Sequence, residues 1–317
     1  MKQNYELKNE RIRAGFLAAK AAHPERFATP LRFSWSNWGF GLETLDTSAK
    51  RLHDAGIPYI ELHGNHHGPD LGYRPTDVNR ILGEYGLAVS GICGIYSPDN
   101  DLSSNRPIQR QAAIDYIRRE VEFTASVGGK YVLVCPGAVG RTVRYDDSEW
   151  ERSLDSLSRV ADEFVKYGIR CAIEPIRSAE TTVVNRVAQA NAYIDALNHP
   201  GVQHINGDVF HMLTEEAHIG EAVLACGERL TNLHLADTTR GTLGTGSLDL
   251  DTVIMALYLM NYNNLESTWV TPEPLGAGAD PYPMANSKVD PAILDKMVFD
   301  SYRYFREREA AVLAMTE

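Results

Sequence analysis

Short apolar, β-branched or aromatic runs recur along the chain. Each is followed by a polar loop and then a stretch whose apolar positions fall at helical spacing. The strand-like runs cover 31–36 (LRFSWS), 58–62 (PYIEL), 87–93 (LAVSGIC), 130–135 (KYVLVC), 170–174 (RCAIE), 202–208 (VQHINGD), 231–235 (TNLHL) and 267–273 (STWVTPE). Helices are predicted over 44–55, 76–85, 108–127, 149–167, 187–197, 218–226 and 250–259. Several of these end at a glycine (Gly56, Gly86, Gly128, Gly168), the residue that accepts the left-handed conformation closing a helix.

Eight strand and helix alternations in one chain predict an α/β protein, a closed (β/α)8 TIM barrel. An open doubly wound sheet is the alternative. The first strand-like run, however, leads into Asn37-Trp38-Gly39-Phe40 rather than a Gly-rich dinucleotide turn. A helix-favouring stretch over 5–22, broken by Pro24 and Pro30, makes residues 1–30 an added N-terminal helical extension. Residues 31–317 form the barrel, ending in a long C-terminal helix over 291–315.

In such barrels the chemistry gathers where strands end. The fifth run ends in Glu174 and the sixth in Asp208. The seventh carries His234, and the eighth ends in Glu273. Alone, each has a plain explanation as a helix cap, an ion-pair partner or a hydrogen-bonded core histidine. Together, four ligand-type residues close four successive strands in one register. Three carboxylates and one imidazole suit Mn2+, Mg2+ or Co2+, whereas a structural zinc favours thiolates. A cation also answers the cost of crowding charges into an apolar barrel mouth.

With these residues the chain resembles the xylose-isomerase-like barrel superfamily of sugar isomerases and epimerases, and within it the D-tagatose, D-allulose and L-ribulose 3-epimerases. The resemblance runs from about residue 31 to 273 and its motifs are specific from the fifth strand onward. It implies that Glu174, Asp208, His234 and Glu273 bind one divalent metal, Mn2+ first. It further implies that Glu174 and Glu273 are the catalytic pair, passing a proton at a carbon of a ketose or keto-sugar derivative through a metal-stabilised enediolate. The family's D-x-x-H pattern is similar to Asp208-Val209-Phe210-His211 and makes His211 a substrate ligand. The second glutamate six residues on falls at Glu180, and the arginine after the seventh strand at Arg240, both facing substrate oxygens.

Other features bear on the substrate. Trp35 and Trp38 sit at the end of the first strand, and Trp38 offers a stacking face for a sugar. The stretch 61–70 (ELHGNHHGPD) is histidine-rich, which is unusual for these epimerases, and assigns His63, with His66 and His67 nearby, to a substrate loop. A related lyase implied by the same resemblance is the large, metal-binding subunit of a C-glycoside deglycosidase. Such an enzyme acts on 3-keto C-glycosides with a small partner subunit. Otherwise a homo-oligomer is expected. The Gly-rich stretch 241–249 lacks the lysine and hydroxyl ending of a phosphate loop and is expected to be a structural turn.

Composition narrows the classes further. The formal net charge is −11, unsuited to nucleic acid or anionic membranes, so neither partner is expected. Cys93, Cys135, Cys171 and Cys226 form no C-x-x-C pair and read as reduced core thiols of a cytoplasmic protein. The chain carries no apolar run approaching the length of a membrane span and no leader-like opening.

Overall fold

A computed structural model of the chain describes residues 2–64, 72–275 and 287–316. The eight strands are β1 (Ser34–Ser36), β2 (Tyr59–His63), β3 (Ala88–Cys93), β4 (Tyr131–Val134), β5 (Arg170–Ile173), β6 (His204–Asp208), β7 (Leu230–Leu235) and β8 (Trp269–Pro272). All are parallel and pair in chain order. A bridge between Phe33 and Val270 brings the first edge to the last, closing the barrel.

The helices are α1 (Asn4–Ala22), α2 (Leu45–Ala55), α3 (Pro75–Glu84), α4 (Pro107–Ser126), α5 (Glu149–Ser158), α6 (Ala161–Tyr167), α7 (Val187–Leu197), α8 (Val209–Glu215), α9 (Ile219–Cys226), α10 (Leu250–Leu259) and α11 (Pro291–Ala314). Glycines close α2 and α6 in the left-handed conformation, at Gly56 and Gly168.

Two helical expectations differ in detail. The helix expected over 149–167 is broken between Ser158 and Ala161. No proline or glycine stands there. Val160 at the break is buried, and a Cβ on Gly201 would stand 2.3 Å from the Ala161 carbonyl oxygen, so the two segments pack closely there. α8 was not expected. Asp208 caps it, its side chain accepting from Phe210 N, an end signal that the sequence does contain.

α1 is docked on the barrel. Its Ile12 and Phe16 are buried, and Phe16 meets Phe27 and Tyr258 of α10 edge-on at 5.3 and 6.4 Å. Most of the apolar core lies between the strands and the ring of helices. Inside the barrel a separate cluster, Tyr131, Ala172 and Trp269 with Tyr59 against it, fills the lower layer. The two-residue strand period then stacks polar residues above that layer on the same inward face: Glu61 after Tyr59, Glu174 after Ala172, Thr271 and Glu273 after Trp269. Gly91 makes room for this layering, since a Cβ there would stand 2.5 Å from the Tyr131 ring. No helix among the described residues is long and apolar enough to cross a membrane.

Candidate metal and sugar site

Glu174 and Glu273 follow β5 and β8 directly, and their backbones stay in the strand ladder. Glu174 N donates to Val134 O (3.0 Å) and Glu273 N to Leu235 O (2.8 Å). Asp208 ends β6, and His234 lies on β7 opposite it in register. All four side chains are buried. His234 Nδ1 lies 3.7 Å from Glu174 Oε1 and 3.8 Å from Glu273 Oε1. Ligand atoms of Glu174, Asp208 and His234 all fall within 4.8 Å of one another. The four residues predicted from the strand ends are therefore brought together.

A divalent cation fits this set. The separations around His234 Nδ1 exceed a hydrogen bond, yet one ion with bonds of about 2.0–2.6 Å can span them. Charge points the same way. Glu61, Glu174, Asp208 and Glu273 are all buried, and the permanent cation that reaches any of them, among the described residues, is Arg240. It pairs with Glu273 and lies 3.9 Å from Asp208. Cys93 Sγ, 3.7 Å from Glu273 Oε1, and Cys135 Sγ, 3.8 Å from Glu174 Oε2, are pushed well above the usual thiol range by burial and by those carboxylates. They remain thiols, which leaves an oxygen-rich donor set with one imidazole, the preference of Mn2+, Mg2+ or Co2+.

Without the cation the site's protons redistribute. Burial pushes Glu174 up to about 7 against the pull of His234, and Asp208 up to about 6 against Arg240 and His234. For Glu273 burial also acts upward, but His234 and Arg240 outweigh it and hold the carboxyl below its ordinary range. His234 resists charging through burial, yet Glu61 and Glu273 overcome this and keep it well above the usual imidazole value. His211 goes the other way, held neutral by burial and by the guanidinium groups of Arg240 and Arg177.

Arg240 arrives by an unusual backbone. Thr239 and Arg240 have φ of 66° and 56°, in the region that side chains avoid. The turn is pinned on both sides: Asp237 N donates to Gly241 O (3.0 Å) and Leu275 N donates to Arg240 O (2.9 Å). The Asp237 carboxylate also accepts from Thr238 N, Gly244 N and Leu248 N, so this Gly-rich stretch has its backbone donors turned onto Asp237, not onto a phosphate. A Cβ on Gly246 would collide with Thr238 Oγ1 and Asp237 Oδ1. The guanidinium lies over the rings of Trp38 and Phe210, at 5.3 and 4.8 Å. Replacing Arg240 with Met in protein stripped of divalent cations is expected to cost about 3 kcal/mol of unfolding free energy in urea, since the buried Glu273 carboxylate loses its permanent cationic partner.

A narrow cavity rises above these groups, lined by Glu174, Glu180, His211, His234, Arg240, Glu273 and Trp38, so seven of the nine predicted residues meet at its wall. Asp208 stands beside it, with His211 Nε2 at 3.4 Å. His211 Nδ1 and Arg240 Nε are buried there and have no hydrogen-bond partner among the described residues, as expected of groups waiting for ligand oxygens. Glu180 pairs with Arg177. The cavity shares Trp38, Ile95, Tyr96 and Val139 with a wider cleft of about 1000 Å³.

His63 is the exception. It ends β2 instead of lying in a loop, its Nε2 is 3.1 Å from Tyr73 OH, and it lines a different recess with Gly41–Leu45. His66 and His67 lie outside the described residues. Sequence reading missed Glu61, whose carboxylate reaches His234 Nε2 at 2.9 Å. A charged residue on the inward face of an apolar strand was the available signal.

Three comparisons bear on this arrangement. Residues 49–285 match the family model described as xylose isomerase-like TIM barrel. The chain is 30% identical to a ketose 3-epimerase from Arthrobacter globiformis over 71% of its own length and 76% of that protein's. It is likewise 30% identical to a 3-dehydro-D-guloside 4-epimerase from Escherichia coli over 73% of its own length and 89% of the relative's. A solved structure of L-ribulose 3-epimerase superimposes with a TM-score of 0.77 at 20% identity, covering 89% of this chain and 96% of that one, a likeness of fold. The chain belongs to the xylose isomerase-like TIM barrel family, as an enzyme of its isomerase and epimerase class.

Proposed function

We propose that the enzyme inverts a hydroxyl-bearing carbon beside the carbonyl of a ketose or keto-glycoside, using one divalent cation, Mn2+ foremost, held by Glu174, Asp208, His234 and Glu273. The observation that carries this reading is the pair of buried carboxylates, Glu174 and Glu273, at 3.7 and 3.8 Å from His234 Nδ1 on the wall of one cavity. Relatives named for epimerising ketoses and a dehydro-guloside support both substrate classes.

A cation bound there supplies positive charge to the carbonyl and neighbouring hydroxyl oxygens and so acidifies the carbon between them. Glu273, kept ionised by His234 and Arg240, takes the proton from that carbon as the carbonyl electrons move onto oxygen and a carbon–carbon double bond forms. His211 Nδ1 and Arg240 Nε, which have no partner among the described residues, are the donors available to the oxygens that gain charge. Glu174 delivers a proton to the opposite face, the carbonyl returns, and the two carboxyls reset by exchange with water. The reverse reaction uses them in exchanged roles. Glu180 orients a hydroxyl, and the Trp38 ring packs on the apolar face of the sugar.

Incubating Mn2+-loaded enzyme with ketoses and 3-keto-glycosides in D2O, followed by proton NMR, should show deuterium entering at the carbon next to the carbonyl together with the epimer. No exchange across the panel, from protein shown to carry Mn2+, would overturn the reading.

A further inference from the structure

Below the cavity, and absent from its wall, lies a layer of buried polar groups, Glu61, Tyr131, Asn206, Asn232 and Thr271, spanning five strands. Glu61 on β2 is fully buried and ionisable, which is costly unless donors surround it. They do. Tyr131 OH on β4 donates to Oε2 at 2.6 Å, Asn232 Nδ2 on β7 donates to Oε2 at 3.2 Å, and His234 Nε2 stands 2.9 Å from Oε1 and 3.1 Å from Oε2. A carboxylate only accepts, so Nε2 carries the hydrogen and Nδ1 is the nitrogen turned to the cation site.

The layer continues to the other ligands. Asn232 Nδ2 also donates to Asn206 Oδ1 (2.8 Å), Thr271 Oγ1 donates to Asn232 Oδ1 (2.7 Å), and Asn206 Nδ2 donates to Glu174 Oε1 (2.9 Å). Two irregularities of register serve it. One shift falls between Ile60 and Glu61, the other between Ile205 and Asn206, each at the residue that must aim into the barrel.

Glu61, His234 and Glu273 are close enough to ligate a cation themselves. The Glu61 oxygens, however, already accept from three donors, and the carboxylate lies on the far side of the imidazole from Glu174. We propose that Glu61 is a positioning residue. By accepting from Nε2 it fixes the tautomer and ring angle of His234, so that Nδ1 meets the cation, and the amide layer passes the same constraint to Glu174. This rests on the cation reading above.

The test is Mn2+ binding measured by calorimetric titration on wild type and Glu61→Gln, with thermal melting of both cation-free proteins. Glu61→Gln keeps the shape but removes the charge. Its dissociation constant for Mn2+ should rise about 10–100-fold, while the cation-free protein melts lower than wild type because His234 loses the carboxylate paired with it. Tyr131→Phe leaves the Glu61–His234 pair in place and should change the constant by a smaller factor. If Glu61→Gln does not fold, Glu61→Asp, one methylene shorter, carries the measurement with a loss of about tenfold expected. A constant within about threefold of wild type in whichever variant folds overturns the proposal. Wild type that binds no Mn2+ overturns the cation reading instead.

Discussion

Glu174→Gln should lower kcat about 10³–10⁴-fold, with kcat/KM falling in proportion, when measured under saturating Mn2+. The amide keeps the size of the side chain and one oxygen toward the cation site, and it still accepts from Asn206 Nδ2, which lies 2.9 Å from Glu174 Oε1. It cannot gain or lose a proton near neutral pH. The expected loss is thus that of a proton-transfer group, with folding preserved. Deuterium exchange in D2O sharpens the result. If Glu273 removes the proton and Glu174 returns one, the variant should still exchange the substrate proton while forming the epimer far more slowly. A loss below about tenfold under the same conditions would remove Glu174 from the proton path.

The second large effect concerns removal of divalent cations. Dialysis against a chelator should abolish turnover, and Mn2+ should restore it. At a thousandfold excess over its dissociation constant, bound cation adds about 4 kcal/mol of stability, a rise in melting temperature of about 5 °C for a chain of this size. The pH dependence has a definite sign. Glu174 and Asp208 titrate near 7 and 6 in the folded, cation-free protein, above their ordinary values of 4.5 and 3.8. Between those limits the native state holds more protons than the unfolded chain. The site's contribution to stability therefore falls as pH rises from about 4 to 7. Cation binding requires ionised carboxyls, so the gain from Mn2+ grows over the same range. Melting curves with and without Mn2+ at pH 5.5 and 7.5 check this. An equal shift at both values would mean that Glu174 and Asp208 do not hold the ion.

Much of this site was legible in the chain because a strand has a period of two and a barrel has one catalytic end. Glu174, Asp208 and Glu273 could be placed in common register by counting from apolar runs, and His234 by its alternation with Leu233 and Leu235. His211 came only through the resemblance, from the family's D-x-x-H pattern, which α8 turns into one helical turn. His63 was drawn toward the substrate by its histidine neighbours. The alternation that puts it on the inward face of β2 also carries it beyond Glu61 to the rim, where Asn37 and Tyr73 engage it.

The sequence by itself determined the eight strands, their order and the residues at their ends, since these follow from local periodicity and from where polar groups interrupt apolar runs. Only the tertiary structure decided which nitrogen of His234 faces the cavity, that Glu61 lies behind it, that Arg240 folds back onto Glu273 through a left-handed turn, and that two register shifts aim the buried layer. Those features depend on contacts between residues up to 173 positions apart, as for Glu61 and His234. Closure of the barrel, which brings distant strands face to face around a buried interior, supplies them. No local pattern encodes that meeting.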